Sequence, residues 1–317
     1  MARTLITGTI AYDVLLGFEG SFLDTIKPAE LATLSVSHFA PHYTREHGGT
    51  GANIAWTLRL LGGDPLLVGA VGSDGREYLA HLRDAGVDVS YVAEVEGQVT
   101  ATAIIGTDSG ARQIAFFHPG ADSHSPWPDL SKERDGLGMA IVSPRDQQAM
   151  TRAVDWCASA GVSVLFDPGQ QVHAFGPDEM ERMVRKSAGV IVNEYEWNIL
   201  RTTLNRDEAG VLELCPLLIV TLAERGVMIV DAEGPRIFAA CSADHIVNPT
   251  GAGDALRAGV LRGLDAGWSI DRAVQLGAGI ASFVVEIDGT LLPELNADAL
   301  RTRMTQTYGE ALPPITF

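Results

Sequence analysis

Short apolar runs alternate with longer amphipathic runs along the second half of the chain. Each short run predicts a buried strand, and the apolar positions at helical spacing that follow it predict a helix covering the sheet. Because the two alternate, the sequence indicates a mainly parallel sheet with helices on both faces. The predicted strands are 140–142, 162–166, 190–192, 217–221, 226–231 and 236–240, and the predicted helices are 147–160, 179–186, one from 193, 255–266, 270–286 and 297–307.

The first half of the chain interrupts this alternation. Strands are predicted at 5–9 and 66–71 and a helix at 54–61, yet residues 18–47 carry no pattern of a crossover helix, and 35–43 are β-prone. Residues 99–107 and 113–117 alternate in polarity on either side of Asp108-Ser109-Gly110, which is a hairpin signal. We therefore expect segments of about 12–47 and 97–118 to form a small β-sheet lid within a single α/β domain of residues 1–317.

Composition and absent motifs narrow the class of protein. The chain has 317 residues, of which 46% are hydrophobic and 20% charged, as is usual for a soluble globular protein. Its formal net charge of −17 argues against a nucleic-acid or anionic-membrane surface, although a local group of backbone N–H donors can still bind a phosphate. Three cysteines without C-x-x-C spacing predict free thiols in a reducing cytoplasm, and no apolar run is long enough to span a bilayer. The absence of G-x-G-x-x-G after the first strand argues against a dehydrogenase, and the absence of G-x-x-x-x-G-K-[ST] excludes a P-loop enzyme.

The segment Asn248-Pro249-Thr250-Gly251-Ala252-Gly253-Asp254 carries the clearest signal for chemistry. Its three small residues predict a tight turn that opens a helix and exposes backbone N–H groups to an anion. Asp254 beside such a turn is suited to take a proton from a hydroxyl that attacks a bound phosphate. The alternative is an Asp that only stabilises the start of the helix.

A second glycine turn, residues 48–53, precedes the helix at 54–61. Its glycines let a ligand approach the backbone, and Asn53 offers both a donor and an acceptor to a hydroxyl-bearing ligand. Asp13 follows the first predicted strand, at the edge where open α/β sheets bind ligands, and could accept bonds from two neighbouring hydroxyls. A solvated loop carboxylate is the alternative for Asp13.

Two pairs of residues have both a functional and a structural interpretation. Asn193 and Glu196 lie three apart at a strand-to-helix junction and share one helix face, which suits a hydrated Mg²⁺ held through water. A helix cap with an acid in the first turn is their structural interpretation. Phe116 and Phe117 close the hairpin and could stack on a planar base, whereas packing is the more frequent role of such a pair.

These elements together resemble the ribokinase-like (PfkB) carbohydrate and nucleoside kinases over nearly the whole chain. Residues 48–53 and 249–259 are similar to the two signatures of the family, Asn193 and Glu196 match its N-x-x-E element, and 221–226 resemble its nucleotide loop. The resemblance implies a three-layer α/β/α core with a β-sheet lid, ATP as phosphoryl donor and Mg²⁺ as cofactor. It also implies Asp254 as general base and the backbone N–H groups of Gly251, Ala252 and Gly253 as anion hole.

The resemblance extends to ligand contacts. Candidate substrate contacts are Asp13, Gly48, Gly49, Asn53 and Phe117; candidate nucleotide contacts are Asn193, Thr221, Gly226 and Gly253; and Asn193 with Glu196 is the candidate Mg²⁺ site. Arg225 in the nucleotide loop is interpreted as a solvated turn residue rather than a phosphate clamp.

Details of three motifs favour a purine nucleoside as acceptor. Residues 116–121, 167–170 and 248–250 look like those of bacterial adenosine-kinase-type members, which implies phosphorylation of the adenosine 5′-hydroxyl to give AMP. A sugar kinase of ribose or fructose type and a non-catalytic nucleoside-binding regulator remain the alternatives. Asn248 stands where the family usually has Asp, so the resemblance does not extend to K⁺ activation. A lid sheet can pair with a second copy or cover only its own site, which leaves both monomer and homodimer open.

Overall fold

Two separate β-sheets organise the protein in its computed structural model, which describes residues 2–27, 35–110, 112–310 and 313. Within these residues the large sheet has nine strands and the small sheet four. In chain order the strands are β1 (Arg3–Thr7), β2 (Ala11–Gly17), β3 (His42–Gly48), β4 (Pro65–Gly72), β5 (Asp88–Val95), β6 (Ala101–Thr107), β7 (Gln113–His118), β8 (Leu137–Val142), β9 (Ser163–Phe166), β10 (Gly189–Asn193), β11 (Leu218–Thr221), β12 (Val227–Val230) and β13 (Arg236–Phe238).

The large sheet has the order β13-β12-β11-β10-β9-β8-β1-β4-β5. In this spatial order every neighbouring pair from β11 through β5 is parallel. At the other edge β12 is antiparallel to both β11 and β13. The helices between the strands are α1 (Phe22–Thr25), α2 (Thr50–Leu60), α3 (Arg76–Asp84), α4 (Gln147–Ala160), α5 (Pro177–Arg185), α6 (Glu194–Leu204) and α7 (Glu208–Leu212). The helices that follow the last described strand are α8 (Ala252–Asp265), α9 (Ile270–Val284) and α10 (Ala297–Tyr308). The mainly parallel α/β class predicted from the alternation is therefore confirmed.

Alternate residues of the same strands belong to two separate hydrophobic cores, one on each face of the large sheet. Leu5, Ala140 and Val164 point to the face covered by α4, α5 and α6, and their neighbours Ile6, Ile141 and Leu165 point to the face covered by α2, α8 and α9. Successive side chains of a strand lie on opposite faces, so a strand buried on both sides reads as a continuous apolar run. This is why the runs were recognisable without polar alternation.

The small sheet has the order β3-β2-β6-β7. β2 is parallel to β6, while β2–β3 and β6–β7 are antiparallel. The predicted strand at 5–9 ends at Thr7, and Asp13 lies within β2 of the small sheet rather than in a loop. Residues 35–41 of the β-prone segment form no strand, whereas its last two residues begin β3. Residues 28–34 of the predicted lid segment lie outside the described residues, and the edge strand β5 was not predicted.

Parallel pairing brings the carboxyl ends of β1, β8, β9, β10 and β11 to one edge of the large sheet. The small sheet begins at the same edge, because β2 starts four residues after β1 ends. Open parallel sheets bind ligands at this edge. Among the described residues, no helix is long and apolar enough to cross a membrane.

Candidate active site

A cavity of about 440 Å³ lies between the carboxyl edge of the large sheet and the small sheet. A cavity of this volume is in the range of small-molecule sites. The residues that line it come from the ends of five parallel strands, from β2 and β7, and from the first turns of α2, α6 and α8. They are Thr9, Ala11, Asp13, Gly49, Thr50, Asn53, Phe117, Pro144, Arg145, Asp167, Gly169, Gln170, Gln171, Asn193, Glu196, Thr221, Thr250, Gly253, Asp254 and Arg257.

The N-terminus of α8 opens into this cavity. Gly251 is its N-cap with φ 85° and no side chain to cap the helix, so the left-handed turn requires a residue without a Cβ penalty. No described residue accepts a hydrogen bond from the backbone N–H of Gly253 or Asp254. These open donors, together with the helix dipole, are suited to an anion. The tight turn predicted at residues 251–253 is thus present, but only Gly253 of the three predicted donors lines the cavity. The N–H of Ala252 donates to Pro249 O at 3.3 Å, so the open donors at the cavity are those of Gly253 and Asp254.

Asp254 lies in the first turn of α8 with part of its surface facing the open cavity. Asn53 Nδ2 donates a hydrogen bond to its Oδ2 at 2.8 Å. Burial raises the pKa of Asp254 to about 7, against the opposing effects of Arg257 and the Asn53 hydrogen bond. A carboxyl group with a pKa near neutrality can both accept and release a proton, which is what a general base requires.

Asn53 is itself held in place. Thr290 Oγ1 lies 3.0 Å from Asn53 Oδ1 and 3.1 Å from the backbone oxygen of His47 in β3. Its amide is therefore occupied on both sides, by Thr290 and by Asp254. The structure brings this predicted substrate contact directly to the predicted base.

The glycine turn before α2 differs from the turn before α8. Thr9 O accepts hydrogen bonds from the N–H groups of Gly51 and Ala52, and Thr9 Oγ1 accepts one from Thr50. The N-terminus of α2 is therefore closed by protein atoms and is not an anion site. Gly49 has φ 93°, and a Cβ there would meet the backbone nitrogen of Ala11 at 2.5 Å, so the turn needs glycine to let the two sheets meet.

Asp13 and Phe117 lie on one face of the small sheet. Asp13 pairs with Ala103 and Ala103 with Phe117, so the two side chains point to the same side from strands two apart, about 10 Å. Burial raises the pKa of Asp13. Gly48 does not line the cavity; a Cβ there would meet Asp13 Oδ2 at 2.5 Å, so its role is to make room for that carboxylate. Phe117 is 52% exposed and is therefore not a packed core residue.

Asn193 and Glu196 form a capping box at the start of α6. Asn193 Oδ1 accepts from Glu196 N, and Glu196 Oε2 accepts from Asn193 N, both at 2.8 Å. The helix cap expected from the structural interpretation is therefore present, and both residues also line the cavity. Burial, followed by the nearby Asp167, raises the pKa of Glu196, which favours a cation beside it. Among the described residues no group of three or more His, Cys, Asp or Glu could bind a metal directly.

The nucleotide loop contributes one residue to the cavity wall. Thr221, at the end of β11, lines it, whereas Gly226 does not. Gly226 has φ 99°, and a Cβ there would lie 1.9 Å from Phe238 O, so it is needed for the turn between β11 and β12. Arg225 is exposed and pairs with Glu194, in line with its interpretation as a surface residue.

Arg257 and Asp167 are cavity residues whose role the sequence did not reveal. The Arg257 guanidinium donates from Nε and Nη2 to the two carboxylate oxygens of Asp167, at 2.6 and 2.8 Å. Burial raises the pKa of Asp167, and the ion pair with Arg257 opposes this rise. A signal was available: Arg257 follows Asp254 by three residues, on the same helix face, within an otherwise apolar run.

A larger, more open depression of about 660 Å³ lies elsewhere, against α6 and α7. It is lined by surface residues such as Arg201, Arg206 and Glu213. Arg206 is already paired with Glu213 across it, and the depression is open to solvent. The smaller cavity, with its buried carboxylates and open N–H groups, is therefore the candidate site.

Comparison with known proteins gives one consistent result. The pfkB family carbohydrate kinase model matches residues 22–296. A nucleoside kinase of Methanothermobacter thermautotrophicus is 32% identical over 277 residues, covering 85% of this chain and 87% of that protein. The structure of Burkholderia thailandensis nucleoside kinase in complex with inosine is 30% identical with a TM-score of 0.84, covering 98% of this chain and 99% of that one. The nucleoside kinase of Methanocaldococcus jannaschii is 25% identical with a TM-score of 0.85, covering 96% and 99%.

Proposed function

The chain belongs to the pfkB family of carbohydrate kinases, as its motifs predicted, and from that membership we propose that it transfers the γ-phosphoryl group of ATP to the 5′-hydroxyl of a purine nucleoside, with adenosine as the expected acceptor. The observation that carries this proposal is the position of Asp254 beside the open N–H groups of the first turn of α8. A carboxylate and open backbone donors thus lie next to each other at the cavity wall, which supports phosphoryl transfer to an alcohol because that reaction needs a proton acceptor beside a bound phosphate.

In the proposed reaction the carboxylate of Asp254 takes the proton of the attacking 5′-hydroxyl. Asn53 fixes the orientation of that carboxylate through its 2.8 Å hydrogen bond. The backbone N–H groups of Gly253 and Asp254 donate to the oxygens of the transferring group, where negative charge is concentrated. The small sheet covers the site on the side opposite the helices and excludes water.

The residues present fit a hydrated Mg²⁺. Glu196 Oε2 is occupied by Asn193 N, and no described residue donates a hydrogen bond to its other carboxylate oxygen, Oε1. A carboxylate and an amide facing a cavity suit an ion that keeps several of its waters. When bound, the ion supplies positive charge to the β- and γ-phosphate oxygens.

The geometry of the small sheet favours a nucleoside over a simple sugar. In the proposal Asp13 holds ribose hydroxyls, and the base lies against Phe117, whose exposed ring is on the same face of the sheet about 10 Å away. Gln171 lines the same cavity with an amide that can both donate to and accept from a base edge. The inosine complex of the Burkholderia relative also supports a purine ribonucleoside.

Measurement of ADP release tests the proposal directly. The full-length protein is assayed with MgATP and, separately, adenosine, inosine, cytidine, ribose and fructose. We expect turnover with purine nucleosides at a kcat/KM at least about tenfold above that with either sugar, since only a nucleoside reaches Phe117. Preference for ribose or fructose would favour the sugar-kinase alternative. Tight nucleoside binding without any ADP release would favour a non-catalytic regulator.

The pH dependence of kcat/KM for the nucleoside is expected to show a rising limb with a pKa near 7. Burial raises the pKa of Asp254 to about 7, so the base is protonated and inactive below that pH and ionised above it. kcat/KM reports groups of the free enzyme, so its logarithm should rise with a slope of one below the pKa and level off above it. A flat profile between pH 5 and 8 would assign the proton transfer to another group.

Substitution of Phe117 by Ala is expected to raise the KM for adenosine about tenfold or more and to leave the KM for ribose within about twofold. Base–aromatic contact contributes roughly 1–3 kcal/mol, and ribose has no base to lose. Phe116→Ala is the matched control, because Phe116 is 69% exposed, points to the other face of β7 and does not line the cavity. Equal effects of Phe117→Ala on both acceptors would remove the stacking role.

A further inference from the structure

Arg257 presents an unused donor to the active-site cavity. Two of its three guanidinium nitrogens, Nε and Nη2, are occupied by Asp167. The side chain is 8% exposed and that of Asp167 is fully buried, so the fork is rigidly held. The third nitrogen, Nη1, donates to no described residue.

The position of Nη1 is set by its neighbours. A Cβ at Gly253 would lie 3.0 Å from Arg257 Nη1, so this nitrogen lies against the residue whose backbone N–H is open at the anion site. Arg257 also interacts electrostatically with Asp254 and Glu196. The guanidinium thus sits between the proposed base and the proposed Mg²⁺ ligands.

The other arginine of the described cavity wall, Arg145, gives a comparison for the terminal nitrogens, although its buried Nε has no hydrogen-bond partner among the described residues. Arg145 Nη1 donates to Thr7 Oγ1 and Val68 O, and Nη2 pairs with Asp122 at 2.9 Å. Both terminal nitrogens of Arg145 are therefore used within the protein. Arg257 differs because its pairing leaves one terminal nitrogen for a ligand.

We propose that Arg257 is a catalytic residue that donates a hydrogen bond from Nη1 to a non-bridging oxygen of the γ-phosphoryl group, with Asp167 as its positioning residue. This inference rests on the proposed function. In the transfer, a bond forms between the 5′-oxygen and the γ-phosphorus, and the bond to the β,γ-bridging oxygen breaks. ADP leaves with that electron pair, and the hydroxyl proton goes to Asp254. An arginine fixed in the chain thereby adds positive charge at the reacting phosphorus, as arginine fingers do.

The test replaces the ion pair by apolar side chains, Asp167→Leu with Arg257→Met, so that no buried carboxylate is left without a partner. We expect kcat to fall about 10²–10³-fold. Calorimetry should show the Kd for ADP within about threefold of the wild type and the Kd for a non-hydrolysable ATP analogue at least about tenfold higher, because only the analogue carries a γ-phosphate. The deficit in kcat should persist at pH 9, which is about two units above the pKa of about 7 of Asp254 in the wild type.

Arg262→Lys is the matched control, since Arg262 is a buried arginine of the same helix that donates to Leu61 O and lies outside the cavity. We expect it to leave kcat within about twofold. If the double variant does not fold, as judged by circular dichroism, Arg257→Lys is tested instead. We expect this variant to lose kcat about tenfold or more, with the wild-type Kd values for ADP and the ATP analogue measured alongside as the reference.

Several outcomes would overturn the assignment. They are a variant kcat within threefold of the wild type, a deficit that disappears at pH 9, or equal weakening of ADP and analogue binding. A wild-type protein that phosphorylates no nucleoside would instead defeat the proposed function. The two failures are therefore distinguishable.

Discussion

Replacement of Asp254 by Asn is expected to lower kcat by about 10²–10⁴-fold while the protein remains folded and binds ATP. The amide cannot take the proton of the attacking hydroxyl, although it has nearly the shape of the carboxylate and can still accept the hydrogen bond of Asn53 Nδ2. Single-turnover measurement of phosphoryl transfer to adenosine tests this. A variant that keeps more than half of the wild-type activity would remove Asp254 from the role of base.

The same variant has an expected signature in stability. Burial raises the pKa of Asp254 to about 7 in the folded protein, against about 4 in the unfolded chain. The folded state therefore binds the proton more tightly, and the wild-type free energy of unfolding falls as the pH rises through this interval. Asn carries no such charge, so its stability relative to the wild type should increase from pH 4 to pH 8. The expected gain is about 1.4 kcal/mol for each pH unit between the two pKa values, measured by urea denaturation.

Replacement of Gly251 by Ala is expected to lower kcat about 10²-fold with a much smaller loss of stability. A Cβ on Gly251 would lie 3.0 Å from Thr290 Cβ, and the left-handed conformation at φ 85° is unfavourable for alanine. The turn must move to relieve both, and with it the open N–H donors of Gly253 and Asp254. Misplacing one donor of an anion hole typically costs about 3–4 kcal/mol of transition-state stabilisation. Steady-state kinetics and thermal unfolding together measure the two effects.

The other end of the same helix offers the control for this prediction. Gly267 follows α8 with φ 76°, and a Cβ there would meet no atom within 4 Å. Gly267→Ala therefore introduces similar backbone strain without crowding and far from the cavity. We expect the same modest destabilisation and an unchanged kcat. If both variants lost activity equally, strain in α8 rather than the geometry of the anion site would be the cause.

Local signals in the sequence were sufficient for the core and for the turn at α8. Strands buried on both faces appear as apolar runs, and the small residues at 251–253 have few uses other than a tight turn. Strand β5 was not predicted because, as an edge strand, it mixes polar and apolar residues over Asp88–Val95. Asp13 was predicted just past the first strand and not within a strand, because β2 follows β1 after only a short connection and the change of sheet leaves no mark in the sequence.

Contacts between distant segments could not be predicted. The two glycine turns look alike along the chain, yet of the two only the turn before α8 has open N–H groups. In the turn before α2 the N–H groups donate to the backbone oxygen and hydroxyl of Thr9. In the same way, the partner of Arg257 is Asp167, which is 90 residues away and follows a different strand. Whether a polar group is satisfied within the protein or left for a ligand is a property of the tertiary structure.

The hydroxyl of Thr290 has one hydrogen and two acceptors, the backbone oxygen of His47 in the small sheet and the amide oxygen of Asn53. One hydrogen cannot serve both at full strength, so the small sheet and the amide that steadies Asp254 compete for the same donor.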